Sequence, residues 1–137
     1  MIYEHKVRYY ETDKMGITHH SNYIRLMEEA RIEFLASLGW DYVKFENEGI
    51  ISPVVSVTCH YKKPTTFSDI VKIDVSVEFC SAVKLQLKYV IKKEDTIVCE
   101  AESVHCFIDQ KGRPVRVKKE FPEFYKALMK QAEFVEF

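Results

Sequence analysis

The stretch Asp13-Lys14-Met15-Gly16-Ile17-Thr18-His19-His20 brings a carboxylate, two imidazoles and a glycine together directly ahead of the longest helical pattern in the chain. A carboxylate can attack an activated carbonyl or deprotonate a water that does so. The first N–H groups of a helix have no partner within it, and with the helix dipole they favour negative charge, a developing oxyanion included. Gly16 permits a tight backbone between the two. Aspartate also favours loops because its side chain closes turns, so residue type alone leaves Asp13 open between turn former and catalytic group.

His19 and His20, with His60 and His105 further on, invite a metal reading. A zinc site wants three or four ligands in a recognisable frame, such as H-E-x-x-H, and the sequence has none. Neither a metal nor another cofactor is expected. Cys59, Cys80, Cys99 and Cys106 are scattered, form no C-x-x-C pair and have no adjacent histidine in sequence. They read as packed, inert thiols of a cytoplasmic protein.

The element that must position the loop is a helix starting near Ser21, capped by Ser21 or Asn22. Tyr23, Met27, Ala30, Phe34 and Leu38 share one stripe at helical spacing, with Leu26 on its flank. Arg25, Glu29 and Glu33 fall on the opposite side, and Gly39 stands where the helix should stop. Residues 2–10 read as a first strand and residues 41–48 as a short helix ended by Gly49. Strands are expected over 50–62, 70–79, 85–91 and 97–108, with turns at Glu94-Asp95 and 110–114 and a short edge over Val115–Val117. A last helix runs from Phe121 to about Phe134, with Pro122 in its first turn. The order is that of an α+β domain in which a curled antiparallel sheet wraps a long central helix.

The 137 residues suit one domain with its own core, spanning 1–137. A net charge of −1 argues against nucleic-acid binding through bulk positive charge. The apolar runs are too short to span a membrane, and the N-terminal MIYEHKVRYY has no apolar signal core.

Tyr10-x-x-Asp13-x-x-Gly16, followed by Asn22-Tyr23 and then by Glu28-x-x-Arg31, resembles the hotdog-fold thioesterases. The branch is that of bacterial 4-hydroxybenzoyl-CoA thioesterase and the acyl-CoA thioesterases associated with the Tol–Pal system. Tyr61-x-x-Pro64-x-x-x-x-Asp69 is similar to the same branch, and the resemblance covers nearly the whole chain. It implies hydrolysis of an acyl-CoA to a carboxylic acid and free coenzyme A, with coenzyme A as part of the substrate. It makes Asp13 the catalytic carboxylate, as nucleophile or base, and the His20 backbone N–H the group that polarises the thioester carbonyl. Gly16, Asn22 and Tyr23 match positions that shape the loop and the acyl pocket. The chain departs from the common pattern at Lys14, Met15 and His19, positions that bear on the acyl group rather than on the reaction.

Glu28 and Arg31 lie toward the edge of the buried stripe, either as a surface or interface ion pair or with Glu28 orienting Asp13 or the attacking water. Lys62, Lys63 and Arg116 are the basic residues expected to meet the phosphates of coenzyme A. The family pattern also implies a homodimer or homotetramer with its pocket between protomers. Two other readings stay open at this level. One is a hotdog hydratase or dehydratase acting on acyl thioesters; the other is a non-catalytic acyl-CoA-binding regulator.

Overall fold

The structure, a computed structural model, describes residues 1–132. In chain order the elements are β1 (Ile2–Lys6), α1 (Ser21–Ser37), α2 (Tyr42–Glu48), β2 (Ile50–Ile51), β3 (Val54–Tyr61), β4 (Ile70–Cys80), β5 (Lys84–Lys93), β6 (Thr96–Cys106), β7 (Ile108–Asp109), α3 (Val117–Glu120) and α4 (Pro122–Ala132). Five strands make one antiparallel sheet in the order β1-β4-β5-β6-β3, and β2 pairs with β7. This is the expected hotdog architecture.

Alternation decides which sheet face is buried. Val71, Ile73, Val75 and Val77 of β4 and Leu85, Leu87, Tyr89 and Ile91 of β5 are buried together. Helix α1 contributes Tyr23, Leu26, Met27, Ala30, Phe34 and Leu35 to the same core. Fully burying a side chain such as Phe34 is worth about 2–3 kcal/mol, so this seam supplies most of what holds helix to sheet. Leu38, expected in the stripe, is only partly buried, and Leu35 takes the inner place. Asp41 caps α2 by accepting the Lys44 N–H at 2.9 Å, and Gly49 ends it at φ 69°.

Several boundaries differ from expectation. The first strand stops at Lys6, because the Arg8 carbonyl takes the Glu11 N–H at 3.0 Å and closes a short 3₁₀ turn over Tyr9–Glu11. The 50–62 strand divides at Pro53, which has no N–H to give a ladder. Val115–Val117 forms no edge strand. Val117 opens α3 instead, and the Glu120 carboxylate accepts the Arg116 N–H at 2.8 Å. Neither Ser21 nor Asn22 caps α1; His20 occupies that position without a side-chain cap. The expected reach of the last helix to Phe134 lies outside the described residues. No helix among the described residues is long and apolar enough to cross a membrane.

Candidate active site

Asp13 stands in a small hairpin tied to the turn after β3. Its N–H bonds the Ile17 carbonyl at 2.9 Å, its carbonyl takes the Gly16 N–H at 2.9 Å, and its Oδ1 accepts the Met15 N–H at 2.8 Å. Gly16 has φ +76°, a conformation in which a side chain is strained even though a Cβ there would touch nothing within 4 Å. Asp13 therefore does close a turn, and that turn leaves Oδ2 without a hydrogen bond among the described residues.

The hairpin is anchored by hydroxyls. Thr66 Oγ1 donates to the Gly16 carbonyl at 2.7 Å, and the Thr18 N–H donates to the Thr65 carbonyl at 2.8 Å. Thr65 Oγ1 lies 2.7 Å from Thr18 Oγ1 and 2.9 Å from the Tyr23 hydroxyl, all three residues being buried. This chain joins the Asp13 hairpin to the first turn of α1.

At the helix start the N–H groups divide sharply. The His19 N–H bonds the Glu11 carbonyl at 2.8 Å, and the Ser21 N–H bonds His19 Nδ1 at 3.3 Å. The Asn22 N–H bonds the His19 carbonyl at 3.0 Å, and the Tyr23 N–H bonds the His20 carbonyl at 3.1 Å. The His20 N–H has no acceptor among the described residues. Asn22 Nδ2 also reaches the His19 carbonyl at 3.2 Å while donating to the Glu11 carbonyl at 2.9 Å. Because a peptide unit is planar and trans, pinning the His19 carbonyl aims the His20 N–H the opposite way.

Asp13, His20, Tyr23, Tyr61, Lys62 and Lys63 line one groove of about 420 Å³. Lys62 and Lys63 both donate their N–H groups to the Val98 carbonyl, at 2.8 and 3.2 Å, which sets them side by side at the groove's edge. Burial pushes the Tyr23 phenol up despite its bond to Thr65, and burial with the neighbouring Cys59 pushes Tyr61 up to about 12. The walls therefore present neutral hydroxyls near neutral pH. Burial likewise pushes Cys99 up to about 12, which keeps that thiol from acting as a nucleophile.

The other expected residues fall elsewhere. Asn22 is buried behind the groove and orients the loop instead of lining the pocket. Glu28 and Arg31 line a second cavity of about 520 Å³ with Trp40 and Phe45, so Glu28 and Asp13 face different cavities within one chain. No ion pair joins Glu28 to Arg31 among the described residues. Arg116 sits at the opposite end of the sheet, where the adjacent Val117 N–H bonds Ala82 at the β4–β5 turn. Among the described residues no three His, Cys, Asp or Glu side chains gather as a metal site. Glu11 and Thr65 are members of the site that residue patterns did not single out, while Thr18 and Tyr61 stood within quoted stretches without a role of their own.

Residues 7–131 match the thioesterase-like superfamily. The chain is 38% identical to a hypothetical protein from Aquifex aeolicus of known crystal structure, covering 91% of this chain and 98% of that one at a TM-score of 0.85. A DHNA-CoA thioesterase from Staphylococcus aureus is 34% identical, with 94% and 88% covered and a TM-score of 0.88. The acyl-CoA thioester hydrolase YbgC of Escherichia coli O157:H7 is 25% identical over 114 residues, 82% of each protein. A family match over nearly the whole length, carried on the hotdog architecture, shows that this chain belongs to the thioesterase-like superfamily and is a thioester hydrolase.

Proposed function

We propose that the chain hydrolyses an acyl-CoA, with water adding to the thioester carbonyl and the C–S bond breaking to give a carboxylic acid and free coenzyme A. The observation that carries this reading is the unbonded His20 N–H at the start of α1, in the same groove as Asp13. The carbonyl oxygen gains charge as the tetrahedral intermediate forms, and the N–H and helix dipole are arranged to meet it. Asp13 Oδ2 either attacks the carbonyl carbon, giving a mixed anhydride that water then opens, or takes a proton from the attacking water. Lys62 and Lys63 line the same groove and supply the cations that phosphates of coenzyme A would require.

The finer branch, that of 4-hydroxybenzoyl-CoA and Tol–Pal-associated thioesterases, is part of the same proposal, as are a cytoplasmic setting and a homodimeric or homotetrameric state. Strand β3 supports self-association: it is a sheet edge with no charged residue from Val54 to Tyr61, and Val54, Val55 and Tyr61 are exposed.

A thiol-release screen over short, long and aromatic acyl-CoAs tests the reaction. Single turnover in ¹⁸O-water separates the two roles of Asp13. An unlabelled first product with label in Asp13 shows attack by the carboxylate and opening of the anhydride at the Asp13 carbon. A labelled first product is assigned to a general base only when hydroxylamine traps no acyl group on Asp13. Absence of thiol release across the whole panel overturns the proposal.

A further inference from the structure

We propose that Glu11 is a positioning residue for this reaction, holding the helix start so that the His20 N–H is the donor left free in the groove. The proposal rests on the thioesterase reading above.

Glu11 is only 8% exposed although it carries a carboxylate. Such burial is unfavourable unless the charge is bonded, and here it is bonded twice. Oε1 accepts the Arg8 N–H at 2.7 Å and lies 2.8 Å from His5 Nε2. The side chain is thereby fixed between β1 and the 3₁₀ turn. The main-chain carbonyl of the same residue takes the His19 N–H at 2.8 Å and Asn22 Nδ2 at 2.9 Å. One residue thus connects β1, the stretch two positions ahead of Asp13, and the first turn of α1.

Two consequences follow for the donor. The Glu11 carbonyl occupies the His19 N–H, which would otherwise be a second free donor beside the first. It also holds the Asn22 amide, whose other contact pins the His19 carbonyl at 3.2 Å. That carbonyl belongs to the peptide unit bearing the His20 N–H, so its direction sets the direction of the donor. An apolar residue at position 11 could fill the volume but would not hold the carbonyl by way of His5 and Arg8.

The test compares kcat and KM by thiol release for wild type, Glu11→Ala and Glu11→Gln, with melting followed in parallel. Misaiming one oxyanion donor predicts a kcat loss of roughly 10- to 100-fold in Glu11→Ala, with KM within about twofold. Glutamine still accepts from Arg8 and offers His5 a donor, so Glu11→Gln should recover activity to within about threefold of wild type. In a His20→Pro background, which has no donor to aim, adding Glu11→Ala should cost less than about twofold in kcat. A merely structural role predicts the full loss again in that background. An unchanged kcat in Glu11→Ala, or a loss that appears in KM alone, also overturns the proposal. If Glu11→Ala does not melt cooperatively, His5→Leu takes its place and should lower kcat roughly threefold or more with KM unchanged. An active wild type with an indifferent Glu11 removes the positioning role alone, whereas a wild type inactive on every acyl-CoA removes the thioesterase reading and this role with it.

Discussion

Asp13 Oδ1 accepts the Met15 N–H at 2.8 Å, so the carboxylate that faces the groove is held by its own turn. An asparagine offers the same carbonyl acceptor to Met15 and keeps the turn while removing the charge. Asp13→Asn should therefore melt near wild type and lose roughly 10²- to 10⁴-fold in kcat, the scale of one catalytic group. Thiol release near the wild-type rate would show that Asp13 only shapes the loop.

The His20 N–H can be deleted without deleting the helix. His20 has φ −56°, within the range that proline imposes, and its N–H bonds nothing among the described residues. His20→Pro should lower kcat roughly 10²- to 10³-fold, the effect of losing one oxyanion donor. His20→Ala keeps the N–H and should stay within a few-fold of wild type. Equal losses in both variants would assign the effect to the imidazole instead.

How much of this was legible in residue order depends on how far apart the partners lie. Alternation along β4 and β5 reports burial directly, because neighbouring side chains face opposite sides of the sheet. The Asp13 hairpin and the start of α1 are local, so their residue types announce them. Glu11 is not local: its partners are His5, Arg8, His19 and Asn22, spread over a strand, a turn and a helix start. Read along the chain it is one more polar residue after a strand. Thr65 is hidden in the same way, since its contacts to Thr18 and Tyr23 cross 47 and 42 residues. Arg116 was read from charge alone, and within one subunit it lies away from the Asp13 groove, where the adjacent Val117 N–H bonds Ala82.

A buried hydrogen-bond chain runs from the Tyr89 hydroxyl through Ser103 Oγ to His105 Nε2, each step 2.7 Å, and leaves His105 Nδ1 without a partner among the described residues. Burial, with Arg31 nearby, lowers His105 from 6.5 to about 4. The unfolded chain therefore binds more protons between those values, and stability must fall as pH drops from about 6.5 to about 4. At 1.36 kcal/mol per pH unit the loss attributable to this residue is on the order of 3 kcal/mol. It is fully retained above the upper value and declines no further below the lower one. Denaturant titrations at a series of pH values should show this slope, and His105→Gln should flatten it. An unaltered slope in that variant would place the acid sensitivity elsewhere.

The histidines do not converge: His60 is exposed on β3, His105 is buried, and the His19 and His20 rings pack on each other at 4.2 Å. We predict that thiol release survives prolonged EDTA treatment and dialysis. Activity that disappears and returns with added zinc or manganese would mean the reaction uses a metal.

The groove beside Asp13 ends at the open edge of the sheet. Tyr61 ends β3, Lys62 and Lys63 follow it, and all three line that groove; β3 pairs with β6 on one side only. The opposite edge, β1, carries Glu4 and Lys6, charges that discourage edge-to-edge pairing. Strand β3 carries none, and Val55 is 56% exposed on it. An isologous two-fold contact through β3 would cover these side chains and complete the groove with a second subunit. We therefore predict that turnover follows the dimer. Sedimentation and thiol release, measured over one dilution series, should decline together while the far-UV signal of the fold persists. Val55→Lys alters an exposed edge position and leaves the core intact, so it should give folded monomers with little activity. A folded monomer of full specific activity, reached by dilution or by this substitution, would show that one subunit carries the whole site.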